Sequence, residues 1–158
     1  MANIKTNAMR ILDKSGVSYR IFSYDPGDGP IDGVSVAKHL GQPVESVYKT
    51  LVTQGASKRY YVFVIPVNKE LDLKAAARAV DEKAVEMIKV EEINKVTGYI
   101  RGGCSPIGMK KDYEIMLDGA CELMDRIIVS AGKIGYQVEL SPKDLVMLVN
   151  GRIEDLVL

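Results

Sequence analysis

The sequence is short of most of what enzymes use to move protons and hold metals. It has one histidine, His39, and two cysteines, Cys104 and Cys121, in 158 residues. They form no Cys/His/carboxylate cluster at metal-ligand spacing, which argues against a zinc centre and against a disulfide framework. The formal net charge is zero. A protein that grips long stretches of nucleic acid is usually basic, because phosphate neutralisation supplies most of that affinity, so any nucleic-acid contact is expected to be local. No apolar run of about eighteen residues and no N-terminal apolar leader occurs. The longest apolar stretch, Tyr60 to Val67, has strand length. Free cysteines and the lack of a leader or span give the expectation of a cytoplasmic protein.

What is present reads as one globular domain over residues 1–158. Hydrophobic residues make up 47% and charged residues 27%, enough for a single continuous core. Ile4, Ala8, Ile11 and Leu12 recur at helical spacing ahead of Gly16, a C-cap. Val17 to Tyr24 reads as a strand running into a loop over residues 25–30, and Ser35 to Leu40 as a short helix stopped by Gly41. Val47 to Thr53 and Tyr60 to Val67 are apolar strands joined by a hairpin-like link. Asp72 caps a helix with Leu73, Ala76, Ala77 and Val80 on one face. A short helix over Val90 to Val96 and strands over Tyr113 to Leu117, Arg126 to Ser130 and Tyr136 to Leu140 come next. Ser141-Pro142 then starts a helix that Asn150-Gly151 ends. Interspersed strands and helices with hairpin-length links predict a mixed α/β domain, a compact mixed-sheet, barrel-like body flanked by helices.

Two segments carry the chemistry. Gly102-Gly103-Cys104-Ser105-Pro106-Ile107-Gly108 is a loop whose glycines let a ligand approach bare amide donors, as an oxyanion hole or anion cradle requires; it reads equally as an ordinary turn. Lys49, within Tyr48-Lys49-Thr50-Leu51, places one ammonium in an apolar strand. It either snorkels from a sheet edge or holds a phosphate or ester at a pocket mouth. Strand alternation puts Val47, Lys49 and Leu51 on one face and Tyr48, Thr50 and Val52 on the other. Ser130-Ala131-Gly132-Lys133 repeats the theme of strand end, glycine and cation, or is a hairpin turn with a solvated lysine. Ser105 offers a hydroxyl to a substrate or to its own turn. Tyr24 is a pocket hydroxyl or a packed edge aromatic. Cys104 lacks a base that the sequence can tie to it and reads as a small packing residue.

In order along the chain, Tyr24-Asp25, Tyr48-Lys49-Thr50-Leu51, Leu71-Asp72-Leu73-Lys74, Thr97-Gly98-Tyr99, Gly102 to Lys111, Ser130 to Lys133 and Glu139-Leu140 resemble the YbaK/EbsC family of aminoacyl-tRNA deacylases, which includes Cys-tRNA(Pro) deacylase. The resemblance implies hydrolysis of the ester joining a wrongly attached amino acid to tRNA, Cys-tRNA(Pro) foremost, without metal or other cofactor. It makes Lys49, Gly102 and Gly103 the catalytic candidates and Tyr24, Thr50, Ser105, Ser130, Gly132 and Lys133 the substrate-binding ones. The implied partners are the acceptor end of an aminoacyl-tRNA and a prolyl-tRNA synthetase, with no membrane. Two positions depart from the pattern: Cys104 where an aliphatic residue is common, and Gln137 where some members have an acid. The rival readings are a binding module that uses the same pocket without turnover, and a hydrolase or redox protein that depends on Cys104.

Overall fold

The computed structural model describes residues 5–25 and 32–158. Ile4 and most of the loop expected over residues 25–30 lie outside the described residues. Helix α1 (Asn7–Ser15) starts where Thr6 Oγ1 accepts the Met9 amide and ends at Gly16 with φ of 77°. It buries Ala8, Met9 and Leu12, the stripe its spacing predicts. Strand β1 (Tyr19–Ser23) leads through the undescribed residues to α2 (Gly33–Leu40), where the Asp32 carboxylate accepts the Ser35 amide. Strands β2 (Tyr48–Gly55) and β3 (Tyr60–Pro66) form the expected hairpin. The Asp72 side chain caps α3 (Leu73–Ala79), and β4 (Val85–Met87) follows. The helix expected over residues 90–96 is a 3-10 turn, Val90–Glu92, running into α4 (Ile93–Thr97). Strands β5 (Glu114–Asp118), β6 (Ile127–Lys133) and β7 (Tyr136–Leu140) precede α5 (Pro142–Val149), capped by Ser141, and the short β8 (Arg152–Glu154).

The architecture is mixed α/β, with two sheets. One has the order β1-β7-β6 and is antiparallel; the other has the order β4-β2-β3-β5-β8. In the larger sheet β2 pairs antiparallel with β3 and β4, whereas β3–β5 and β5–β8 are parallel. A parallel bridge between Val47 and Ile128 joins the sheets beside the start of β2. Tyr48, Val62 and Val64 pack toward Val129, Val138 and Leu140 of the smaller sheet, with α1 and α5 closing the ends. On the opposite face Leu51, Phe63 and Ile65 pack beneath α3. Tyr48 and Leu51 therefore lie on opposite faces of β2, as the alternation predicts, and β3 is core along its length from Tyr61 onward.

One strand differs from its expected form. The glycines at 132 and 135 suggest a turn from Ser130 onward, but β6 continues to Lys133. A register irregularity between Ser130 and Lys133 accommodates the extra length, with Gly132 at φ of 98°. Glycine is needed there to form a bulge, because only it adopts this conformation without strain. An added Cβ would also stand 2.8 Å from the Tyr99 ring.

Several protonated groups in and beside the core have raised pKa values. Burial pushes the Tyr99 phenol up to about 12 and the Cys104 and Cys121 thiols up to about 11, and raises Tyr48 as well. Each folded-state pKa lies above its ordinary value, so the unfolded chain loses these protons first. Their contribution to stability is complete below about pH 9, the ordinary thiol value, and declines as pH climbs toward 11. The urea midpoint is expected to be level from pH 7 to 8.5 and to fall clearly by pH 10.5. An unchanged midpoint at pH 10.5 would refute this assignment.

Candidate active site

The Val47–Ile128 bridge brings the start of β2 against β6. A cavity of about 120 Å³ opens beside this seam, lined by residues of β2, β6, β7, α2 and the loop after residue 101. Lys49 and Thr50 of β2, Ser130 of β6 and Gly102 of the loop meet there, as do Cys104 and Gln137. Register explains part of this gathering: Ser130 stands opposite Gln137 in the β6–β7 ladder. Val36, Val47 and Val67 supply the apolar wall. Gly33 completes it by close approach, since an added Cβ would stand 2.2 Å from Val67 Cγ1.

Lys49 alone among the lining residues carries charge, and it has no ion pair among the described residues. A lone ammonium beside a small, largely uncharged chamber is suited to an anion or to a carbonyl oxygen gaining charge. The Thr50 hydroxyl is buried with no hydrogen-bond partner among the described residues. Such a hydroxyl, left without any partner, costs about 1–3 kcal/mol, and a substrate polar group would relieve that cost. Gln137 is only 5% exposed and lines the cavity. Ser130 Oγ accepts the Gly132 amide at 3.2 Å, which fixes its hydroxyl at the cavity.

Gly102, at φ of 84°, lines the cavity, and its amide has no acceptor among the described residues. Gly103 behaves differently. Its amide donates to the Ile100 carbonyl at 2.9 Å, closing the turn that presents Gly102. Of the two amides expected to form a cradle, that of Gly102 is free among the described residues, and that of Gly103 is taken up in the supporting turn. Of the two roles open to Ser105, the structure shows the turn: fully buried, it accepts the Ile107 amide at 3.1 Å and stabilises the loop from within, away from the cavity lining. Gly132 and Lys133 likewise lie outside the lining. Gly132 forms the bulge, and the backbone of Lys133 and Ile134 lies against Gly103. Tyr24 is not among the lining residues; its ring stacks on His39 at 6.1 Å, and its hydroxyl is buried with no partner among the described residues.

Cys104 lines the cavity with its thiol toward Thr97 Oγ1 at 3.9 Å. With burial holding its pKa near 11, it remains a thiol at neutral pH and lacks the thiolate that nucleophilic catalysis requires. Sequence reasoning missed the apolar wall and the role of Gln137 as a lining residue. Their only signals are the strand pairing of β6 with β7 and the small residue at 33.

A family model for the aminoacyl-tRNA editing domain matches residues 32–148. The chain belongs to this family. Within it, the chain is 43% identical over 152 residues to EbsC of Enterococcus faecalis, described as a candidate Cys-tRNA(Pro)/Cys-tRNA(Cys) deacylase, covering 96% of this chain and 93% of that one. It is 26% identical over 109 residues to YwhH of Bacillus subtilis, a protein without assigned function, covering 69% of each. Among solved structures, one described as a candidate trans-editing enzyme for prolyl-tRNA synthetase superposes with a TM-score of 0.84 at 22% identity over 99% of both chains. A hypothetical protein superposes at 0.88 with 20% identity over 97% of this chain and all of its own; at such identities the likeness shows the fold. The YbaK/EbsC resemblance of the sequence is thus met at both levels, and the chain is an aminoacyl-tRNA deacylase of the editing kind. Among the described residues no helix is long and apolar enough to cross a membrane.

Proposed function

We propose that this editing domain removes a small, wrongly attached amino acid from tRNA, acting in trans on Cys-tRNA(Pro) before other substrates. The observation that carries this reading is the chamber of about 120 Å³ with Lys49 and Gly102 at its edge. Its wall of Val36, Val47 and Val67, closed by the approach of Gly33, favours a short side chain over a bulky one. The name of the Enterococcus faecalis relative supports cysteine as the amino acid.

In the proposed reaction the side chain enters the chamber and the ester carbonyl lies at Gly102 and Lys49. Water adds to the carbonyl carbon, and the developing oxyanion is steadied by the Gly102 amide and the Lys49 ammonium. The carbon–oxygen bond to the ribose then breaks, and the departing ribose oxygen takes a proton. Free amino acid and tRNA with its hydroxyl restored are the products. The ester is already activated, so positioning and charge stabilisation suffice without a protein nucleophile. The substrate's own thiol or neighbouring ribose hydroxyl assists, which accounts for a chamber with no acid/base pair.

The test is a panel of mischarged tRNAs beginning with Cys-tRNA(Pro) and Ala-tRNA(Pro), with release of labelled amino acid followed with and without prolyl-tRNA synthetase. Release from Cys-tRNA(Pro) well above spontaneous hydrolysis, and faster than from bulkier amino acids on the same tRNA, is expected. Release no faster than spontaneous, with or without the synthetase, would leave a binding module instead.

A further inference from the structure

Thr97 and Tyr99 lie outside the lining of the chamber, and the reaction proposed above uses neither. Both are buried, Thr97 at 1% and Tyr99 at 8% exposure. Buried hydroxyls demand partners, and the ones taken here all belong to the loop or its base. The Thr97 hydroxyl donates to the Ile93 carbonyl at 2.8 Å and accepts the Tyr99 amide at 3.0 Å. The Tyr99 hydroxyl donates to the Ile107 carbonyl at 2.6 Å, across the loop. Since the Ser105 hydroxyl accepts the Ile107 amide, side chains hold both the N–H and the C=O of that residue. The Thr97 carbonyl accepts the Lys110 amide at 2.9 Å and closes residues 98–109 at their base.

The Tyr99 ring is placed as closely as its hydroxyl. A Cβ on Gly132 would stand 2.8 Å from Tyr99 Cε1, and one on Gly108 would stand 3.1 Å from Tyr99 Oη. The ring therefore fills a slot between the β6 bulge and the far limb of the loop, and both walls of that slot are glycine. From there the chain reaches the chamber lining by more than one route. The Gly132 amide, beside the ring, donates to Ser130 Oγ at 3.2 Å. The turn that presents Gly102 begins at the next residue, with the Ile100 carbonyl accepting the Gly103 amide. Thr97 Oγ1, which accepts the Tyr99 amide, also faces the Cys104 thiol at 3.9 Å.

From this geometry we infer that Tyr99 is a positioning residue of the deacylase: it fixes the loop on the β6 bulge, so that Gly102 and Ser130 keep their spacing at the chamber. The inference rests on the editing reading above, since it takes the Gly102 amide to steady the oxyanion. Without the phenolic O–H, the Ile107 carbonyl loses this donor and packing alone holds the ring, which leaves the loop free to slide against the bulge. A donor displaced by about 1 Å can cost about 10²-fold in rate. The loss falls on the chemical step rather than on binding, because the oxyanion exists only in the transition state.

The test compares Tyr99→Phe with Tyr113→Phe. The Tyr113 hydroxyl also donates to a carbonyl at 2.6 Å, that of Val96 in α4, so each variant loses one bond of the same kind. Both should stay folded with a thermal midpoint lowered by several degrees, as expected when a carbonyl loses its donor. For the mischarged tRNA that the panel identifies, Tyr99→Phe should lower kcat at least about fivefold and leave KM within about twofold. Tyr113→Phe should leave kcat within about twofold of wild type. The amide resonances of Gly102 and Ser130 should shift or broaden in Tyr99→Phe and stay in place in Tyr113→Phe. A smaller fall in kcat, a rise in KM in its place, or equal falls in both variants each overturns the inference. Unmoved Gly102 and Ser130 resonances in Tyr99→Phe overturn it as well. If the wild type turns over no aminoacyl-tRNA, the editing reading fails by itself, and the two resonances still decide whether Tyr99 sets the loop on the bulge.

Discussion

Lys49→Ala is expected to lower kcat/KM for deacylation by about 10²–10³-fold, the loss seen when one preorganised charge-stabilising group is removed from a developing oxyanion. The fold should be indifferent to the change. Lys49 is half-buried and has no ion pair among the described residues, so truncation strands no partner, and a change within about 0.5 kcal/mol is the norm for such positions. Steady-state kinetics together with a urea titration separate the two effects. Activity within threefold of wild type, in a variant of unchanged stability, would remove Lys49 from the mechanism. A loss of activity that tracks a loss of stability would make it a structural residue.

The second large effect is expected at Gly103. Its ideal Cβ would stand 2.9 Å from Ile134 N, 3.1 Å from Lys133 C and 3.2 Å from Lys133 Cα. All three are backbone atoms of the β6–β7 hairpin, so no side chain can swing aside. Gly103→Ala must therefore push the loop away from the hairpin. Overpacking of this kind costs about 1–3 kcal/mol, and each kcal/mol lowers Tm by roughly 2–4 °C in a chain of this size. Gly102 and Ser130 sit on the two sides of the same contact, so the chamber widens as the loop retreats. We expect kcat/KM to fall at least tenfold and discrimination against bulkier amino acids to weaken with it. Calorimetry and the tRNA panel check both parts. Wild-type Tm and selectivity in this variant would mean that the approach of loop to hairpin does not shape the site.

The contrast between these two glycines marks the limit of what the sequence discloses. A Gly-Gly pair announces bare backbone, but not which glycine meets the ligand and which meets the protein. That assignment depends on the Gly103 amide closing on Ile100 and on the β6–β7 hairpin lying behind it. Lys49 was legible because a lone cation inside Val47 to Val52 stands out against its neighbours. Gln137 was visible only as an unusual residue, since its position opposite Ser130 is a fact of register. Elements with strong local signals came through: α1 with Gly16, the β2–β3 hairpin, α3 behind Asp72 and α5 behind Ser141. The strands β4 and β8 did not. Each is three residues long, too short for periodicity to declare, and each exists because a neighbouring strand offers it an edge. The glycines of β6 misled because a bulge and a turn draw on the same residue.

The pairing of residues 70–72 with residues 156–158 bears on how the chain is made. The Asp72 amide donates to the Leu156 carbonyl at 2.7 Å, and the Leu158 amide to Glu70 at 3.1 Å. Leu156 is fully buried among the side chains around Phe63 and Met116. Positions 72 and 156 are 84 apart in the numbering, which a ribosome adding about 5–20 residues per second covers in roughly 4–17 s. For that interval the face of β3 beneath α3 lacks its last covering residue, although Lys49 has already been added and Gly102 and Ser130 are added within it. Until Leu156 is added, the cluster around Phe63 and Met116 lacks one of its fully buried side chains.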